Sequence, residues 1–192
     1  MIQRLREVHT ESLDNPYFGR GALLAAKRNY DGAKQSGNFM GALEAVRAVG
    51  KELTFSGKPD DALETYQQAD QMLQFMRQAG APPKLISQWE GNVHLGRAIA
   101  GLRKAENENC VHCQDGEGCL FPIRPKGVHA LRTGAEIARD NLVEVIRRNP
   151  DNVAAVWLLN IAHMTLGTFP DGVPKTYDLP RTRLQSEVDF PW

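Results

Sequence analysis

The chain contains the stretch Ser36-Gly37-Asn38-Phe39-Met40-Gly41-Ala42-Leu43-Glu44, which recurs twenty residues later as Ser56-Gly57-Lys58-Pro59-Asp60-Asp61-Ala62-Leu63-Glu64. In each copy the glycine suits the left-handed backbone position that closes an α-helix. The Ala-Leu-Glu that follows predicts the opening of the next helix on its core-facing side. The repeat therefore predicts helix, turn and helix, and no run of alternating β-branched residues suggests a sheet.

Apolar residues at helical spacing extend this pattern along the chain. We expect helices from about Pro16 to Tyr30, Pro59 to Gln78, Val128 to Arg148 and Val153 to Leu166, and another after Pro82-Pro83 that lasts to about Lys104. The last of these is apolar on nearly every face, which predicts that Trp157 lies buried at the centre of the core. Four prolines after Thr168 argue against a further long helix.

The predicted fold class is all-α, with one helical domain over residues 1–192. Antiparallel helix pairs are followed by an irregular loop that contains cysteine and histidine, and the chain ends in an extended tail. We expect the parts to be helical hairpins, the Cys/His loop, a helical pair and the tail, over residues 1–106, 107–127, 128–167 and 168–192.

The charge balance disfavours a nucleic-acid partner. Lys plus Arg and Asp plus Glu number 23 each, so the net charge is zero, whereas nucleic-acid binding usually needs a basic excess. The longest apolar run is too short to span a membrane. The first residues lack the apolar segment of a secretory signal, which favours a cytosolic protein or one whose leader has been removed.

All three cysteines fall within ten residues, and histidines lie in and after this cluster. Cys110, Cys113, Cys119 and His129 have the spacing C-x2-C-x5-C-x9-H, and four such donors can complete a tetrahedral zinc site. His112 is an alternative fourth ligand. Because the loop has few core-building residues, we expect it to need a staple, that is, a bound metal ion or a covalent cross-link that holds it together. A structural zinc ion is the first hypothesis.

A disulfide between Cys110 and Cys119, with no cofactor, is the alternative staple, and inert thiols are a third interpretation. Other candidate residues favour ordinary structural roles. His163 is expected to be a core histidine with its hydrogen bonds satisfied, and Met164 is expected in the core. Asp171-Gly172 lies between two prolines and predicts a turn rather than a calcium loop.

Two resemblances add to this interpretation. The stretch Val49-Gly50-Lys51-Glu52-Leu53, followed by Gly57, Asp61-Ala62, Tyr66 and Ala69, is similar to the tetratricopeptide repeat pattern. In that pattern small residues let two antiparallel helices pack closely. The resemblance implies tetratricopeptide-like helix pairs in the first half of the chain.

The second half resembles another family, through Asn109-Cys110, Cys119-Leu120-Phe121-Pro122-Ile123, Gly127-Val128-His129, Trp157 to Gly167, and Pro170 to Pro174. These residues look like the helical leader region of FG-GAP/VCBS-repeat proteins of the ASPIC/UnbV, or cartilage-acidic-protein-like, group. The resemblance implies an exported, periplasmic or secreted protein with a helical front end and a β-propeller behind it. It also implies that a propeller domain of the same full-length chain is a natural partner.

These observations favour a non-enzymatic helical scaffold that binds a protein or peptide partner and holds its middle together with the Cys/His loop. The alternative hypothesis is a metalloprotein in which the ion acts as a redox centre or Lewis acid. A catalytic site of that kind must leave one coordination position open to substrate. No Ser/His/Asp set, phosphate-binding glycine loop or HExxH motif is present in the sequence.

Overall fold

A computed structural model describes residues 2–12, 20–110, 121–123 and 125–180. Over these ranges the chain forms seven α-helices and one short 3-10 helix and contains no strand, which confirms the all-α fold class. The α-helices are α1 (Ile2–Ser12), α2 (Gly21–Gln35), α3 (Phe39–Phe55), α4 (Pro59–Gln78), α5 (Pro83–Asn109), α6 (Thr133–Arg148) and α7 (Val153–Thr165), and the 3-10 helix is Pro125–Gly127.

Helix α4 has the predicted bounds, α7 ends one residue early at Thr165, and three other helices differ more from expectation at one end. Helix α5 continues past Lys104 to Asn109, and α2 continues past Tyr30 to Gln35; the predicted opening at Pro16 lies outside the described residues. Helix α6 begins at Thr133 rather than Val128. Leu131, in the expected first turn, instead bonds through its backbone to the side chain of Asn109.

The chain divides into two compact units, Met1–Gly96 and Arg97–Trp192, and the boundary falls within α5. The first unit contains the repeated Ser-Gly pattern. The second contains the segment around the cysteines and the helices that follow it. Each unit has buried apolar side chains of its own, and the prediction of a single domain over the whole chain stays a prediction.

In the first unit, α3 packs against both α2 and α4. The two predicted glycine turns connect these helices, since Gly37 and Gly57 have φ angles of 66° and 73°. In each turn a backbone N–H three residues beyond the helix end bonds back to the last turn, as in Lys58 N–H to the Leu53 carbonyl at 2.9 Å. A residue with a side chain would be strained in this left-handed backbone conformation, whereas glycine adopts it readily, so glycine favours the turn.

The core of the first unit is built around Tyr66 of α4, which is 3% exposed. Its ring lies against two glycines, Gly50 of α3 and Gly96 of α5. A Cβ atom at Gly50 would come within 2.8 Å of the ring, and one at Gly96 would collide with it. The two glycines therefore leave the space that an aromatic ring needs between helices.

In the second unit, α6 packs against α7, and α6 also approaches the C-terminal part of α5 closely. A Cβ atom at Gly134 would lie 2.5 Å from the backbone N of Ala105 and 2.6 Å from the carbonyl oxygen of Gly101. Glycine lets the two helix backbones meet at this point. Ala105, Ala135 and Leu166 form a buried cluster beside the crossing.

The prediction for Trp157 is wrong. Helix α7 buries one side, which carries Ala155, Leu159 and Ala162, while Trp157 is 39% exposed and Val153 is 79% exposed. Trp157 lies two positions from Ala155, and this spacing places it on nearly the opposite side of the helix. Its ring and that of Phe121 form a T-shaped pair with a centroid distance of 5.7 Å. Helix α7 carries apolar side chains on nearly every face, but only one of its sides is buried.

The tail after α7 forms turns up to residue 177, where an extended segment was expected from residue 168. Gly172 N–H bonds to the Thr168 carbonyl, and Val173 N–H bonds to the Pro170 carbonyl. These bonds are possible because only the prolines lack an N–H donor, and the residues between them still donate. Residues 181–192 lie outside the described part of the chain.

Candidate functional site

The structure describes only part of the predicted Cys/His cluster. Cys110 is exposed and directly follows α5, and His129 is buried. His112, Cys113 and Cys119 lie outside the described residues. Within the described ranges no group of three or more His, Cys, Asp or Glu side chains could hold a metal ion, so the zinc site stays a prediction.

One contact fixes the two ends of the segment between Cys110 and His129. The Asn109 side chain donates to the Leu131 carbonyl at 3.0 Å and accepts from the Leu131 N–H at 2.9 Å. It also donates to the Ala105 carbonyl within its own helix at 2.8 Å. Because Asn109 precedes Cys110 and Leu131 follows His129 by two residues, this amide joins the chain segments next to both predicted ligands.

His129 has the properties of a positioned neutral imidazole. It is 8% exposed, and its backbone N–H bonds to the Thr165 carbonyl at the end of α7 at 2.9 Å. Its Nδ1 is buried and has no hydrogen-bond partner among the described residues. Burial lowers the pKa of this imidazole, while the nearby charge of Glu106 acts in the opposite direction. A neutral imidazole is the form that can ligate a metal.

The other residues singled out in the sequence have the structural roles that were expected for them. His163 is 6% exposed, and its Nδ1 lies 2.8 Å from the Thr168 hydroxyl, which confirms a buried, hydrogen-bonded histidine. Met164 is 2% exposed, which confirms its place in the core. Asp171 and Gly172 lie in the turn after α7, which confirms the predicted turn.

Three helices of the first unit enclose a groove that the sequence did not identify as a site. Its volume is about 410 Å³. We call it the α2–α4 groove, and it is lined by three sets of side chains, one from each helix: Lys27, Tyr30 and Asp31; Val46, Val49 and Leu53; and Asp61, Glu64, Thr65 and Gln68.

Each set that lines the α2–α4 groove follows helical spacing. On α3 the lining residues are three and four positions apart. On α4 they lie three, four and seven positions after Asp61. Residues at these spacings share one face of a helix. The spacing could have revealed each face in the sequence, but not which faces would enclose a common space.

The floor of the α2–α4 groove is aliphatic and its walls are polar. Val46, Val49 and Leu53 of α3 are each less than 9% exposed, and α3 is the helix that contacts both of the others. The acidic groups stand on the two walls, Asp31 on α2 and Asp61 with Glu64 on α4, and all three are exposed. The groove thus combines an apolar base with carboxylates on opposite sides.

A second cavity, of about 670 Å³, lies in the second unit beside the C-terminal end of α7. Apolar side chains such as Ile123, Val128, Met164 and Phe169 line it. The only charged group among its described lining residues is Arg132, whose Nε lies 3.6 Å from the Glu136 carboxylate. The α2–α4 groove carries more charged groups and is therefore the better candidate for a recognition site.

None of the helices in the described ranges has the length and apolar character needed to cross a bilayer. Comparison of the chain with protein-family models, with curated proteins and with solved structures found no match.

Proposed function

We propose that this chain is a helical protein-interaction module and that the α2–α4 groove takes a short segment of a partner protein. The observation that carries this proposal is the groove itself, with its aliphatic floor and polar walls. Recognition sites for peptides on helical scaffolds use this combination of apolar contact and convergent polar groups. A volume of about 410 Å³ has room for a few side chains rather than a folded domain.

The helix arrangement supports the same function. Turns of three residues connect α2 to α3 and α3 to α4, and such short connections favour antiparallel neighbours. Successive antiparallel helices form a tetratricopeptide-like scaffold, in which one face of the stack is available to a partner. In this proposal Tyr66, Gly50 and Gly96 hold the scaffold together, and the groove residues make the recognition.

Substitution of Gln68 tests the proposed groove. Gln68 is exposed on the α4 wall, and Gln67 is an exposed neighbour that does not line the groove. Short peptides selected from a random display library against the full chain should bind the Gln67→Trp variant normally. The Gln68→Trp variant should lose about tenfold or more in affinity, because the indole fills the space. Fluorescence anisotropy measures both.

The proposal for the groove is wrong if no peptide is selected, or if selected peptides bind Gln68→Trp as well as the wild-type chain. Far-ultraviolet circular dichroism of both tryptophan variants checks that each keeps its helices. Because the two substitutions add the same side chain to the same helix, a general effect of the indole would appear in both.

We further propose that Cys110, Cys113, Cys119 and His129 form a structural zinc site in the second unit, with His112 as the alternative ligand. The bridge between Asn109 and Leu131 supports this, since it holds the first cysteine and the histidine on adjacent segments. The buried Nδ1 of His129, without a partner among the described residues, supports it as well. Zinc bound there would stabilise the loop, because metal binding and folding are linked.

Elemental analysis and melting curves test the zinc site. Protein purified without added metal should contain one ion per chain, and a chelator should lower the melting temperature by several degrees. Cys119→Ser should lose the ion and melt lower as well. If instead the protein lacks the ion, mass spectrometry finds Cys110 bonded to Cys119, and only reductant destabilises it, the disulfide is the staple and the zinc proposal is wrong.

A further inference from the structure

We infer that the segment taken by the α2–α4 groove is basic, and that a lysine or arginine side chain of the partner lies between the carboxylates of the two walls. This inference rests on the function proposed for the groove. Its described lining residues include three carboxylates and one ammonium group, which give a net charge of −2. The whole chain has a net charge of zero, so the negative charge is a local property of this surface.

The carboxylates of the α2–α4 groove are not neutralised from within the described part of the chain. Asp31, Asp61 and Glu64 make no ion pair with any described residue. The cations of α3 are engaged elsewhere, since Arg47 bonds to Glu44 at 2.5 Å and the Lys51 ammonium lies 5.5 Å from the ring centre of Phe55. Among the described residues that line the groove, only Lys27 brings a positive charge.

The arrangement of these groups suits a long cationic side chain. The methylene groups of lysine or arginine can lie along apolar surface while the charged end remains among polar groups. The aliphatic floor of Val46, Val49 and Leu53 offers the apolar surface, and Asp61 and Glu64 stand one helical turn apart on one wall. Asp31 on the other wall offers a third acceptor. Charge complementarity of this kind sets specificity and register more than total affinity.

Two pools of short synthetic peptides test the sign of the charge. Both pools have the same content of leucine and valine; one carries lysine and arginine at its charged positions, and the other carries aspartate and glutamate. At low ionic strength the basic pool should bind the full chain about tenfold more tightly than the acidic pool. The difference should shrink in about 0.5 M salt, because salt screens exposed charges.

The chain offers a matched control for the carboxylates. Asp60 and Asp61 both lie in the first turn of α4, but only Asp61 lines the groove. Asp61→Asn and Glu64→Gln should each weaken binding of the basic pool by roughly two- to fivefold, the size of one exposed ion pair. Asp60→Asn changes the same charge at the same helix terminus and should leave the affinity unchanged.

The outcomes separate this inference from the function on which it rests. If neither pool binds, or if binding persists in the Gln68→Trp variant, the groove is not a peptide site and the proposed function fails. If both pools bind, both are lost in Gln68→Trp, and the acidic pool binds as tightly as the basic one, the groove takes peptides but the inferred basic partner is wrong. Equal effects of Asp60→Asn and Asp61→Asn would also overturn the inference.

Discussion

Single residues determine how the helices pack within each of the two units. Tyr66 of α4 fills a space that only glycine at positions 50 and 96 leaves open. In the second unit Asn160 is fully buried, and its amide joins α7 to the tail by donating to the Tyr177 carbonyl at 2.8 Å and accepting from the Leu179 N–H at 3.1 Å. Buried polar groups of this kind are retained where all their hydrogen bonds are made.

The burial of Tyr66 predicts a stability loss at high pH. Burial raises its pKa to about 12, and the charge of Arg47 acts in the opposite direction. The phenol ionises near pH 10 in the unfolded chain but resists ionisation in the folded one. Its contribution is therefore complete below pH 10 and is lost as the pH rises from about 10 to about 12, by at most about 3 kcal/mol.

Urea unfolding over this pH range measures the effect. Because other groups also titrate there, the wild-type chain is compared with Tyr66→Phe, which removes only the ionisable hydroxyl. The difference in unfolding free energy between the two proteins should change steadily from pH 10 to pH 12. A constant difference would contradict the assignment of the raised pKa to Tyr66.

At the scale of elements, helix contacts in both units depend on small residues at particular positions. The close approach of α5 and α6 at Gly101 and Gly134 brings backbone atoms within van der Waals distance of each other. Gly32 on α2 is a contrasting case, because nothing lies within 4 Å of the position where its Cβ would be. Both Gly134 and Gly32 lie within helices, so the two positions separate packing from helix propensity.

We expect Gly134→Ala to lower the free energy of unfolding by about 1–3 kcal/mol, the usual cost of overpacking between elements. The added methyl group would meet backbone atoms of α5, which cannot rotate away. Gly32→Ala should instead raise the free energy of unfolding by up to about 1 kcal/mol, because alanine is the better helix former. Urea unfolding of both variants gives the comparison, and a stabilised Gly134→Ala protein would show that α5 and α6 are farther apart.

At the scale of the whole molecule, the chain consists of two compact units with different chemistry. The unit Met1–Gly96 carries the acidic groove, and the unit Arg97–Trp192 carries the Cys/His segment and the buried histidines. Acid should therefore act on the second unit through its buried histidines, and His163 is the one outside the proposed zinc site. Burial lowers the pKa of this imidazole, and the positive charge of Arg139 lowers it further.

For His163 the sign of the pH effect follows from the lowered pKa. The unfolded chain binds a proton near pH 6.5, while the folded chain resists protonation. The contribution of His163 to stability is therefore complete above about pH 6.5 and is lost as the pH falls through its lowered pKa. Unfolding followed by the fluorescence of Trp157, in a chain with Trp89 and Trp192 replaced by phenylalanine, reports on this unit. His163→Gln should have a shallower dependence on pH between 7 and 5, and an unchanged slope would contradict this assignment.

The sequence by itself determined the local structure of this protein. The repeated Ser-Gly pattern predicted the turns at Gly37 and Gly57, and Pro59 predicted the start of α4, because backbone conformation at these positions depends on a few neighbouring residues. Within α4, Ala62, Tyr66 and Leu73 lie at helical spacing in the sequence, and all three are buried. The ligands proposed for zinc came from spacing alone, and Cys113 and Cys119 lie outside the described residues.

Only the tertiary structure decided which faces meet. Trp157 was expected inside and lies at the surface, because the apolar pattern of α7 did not indicate which side would be covered. Asp31 and Asp61 are separated by thirty residues in the sequence, and they line one groove because α3 packs against both of their helices. Local propensity acts over a few residues, whereas a recognition surface depends on packing between distant segments, which no local pattern specifies.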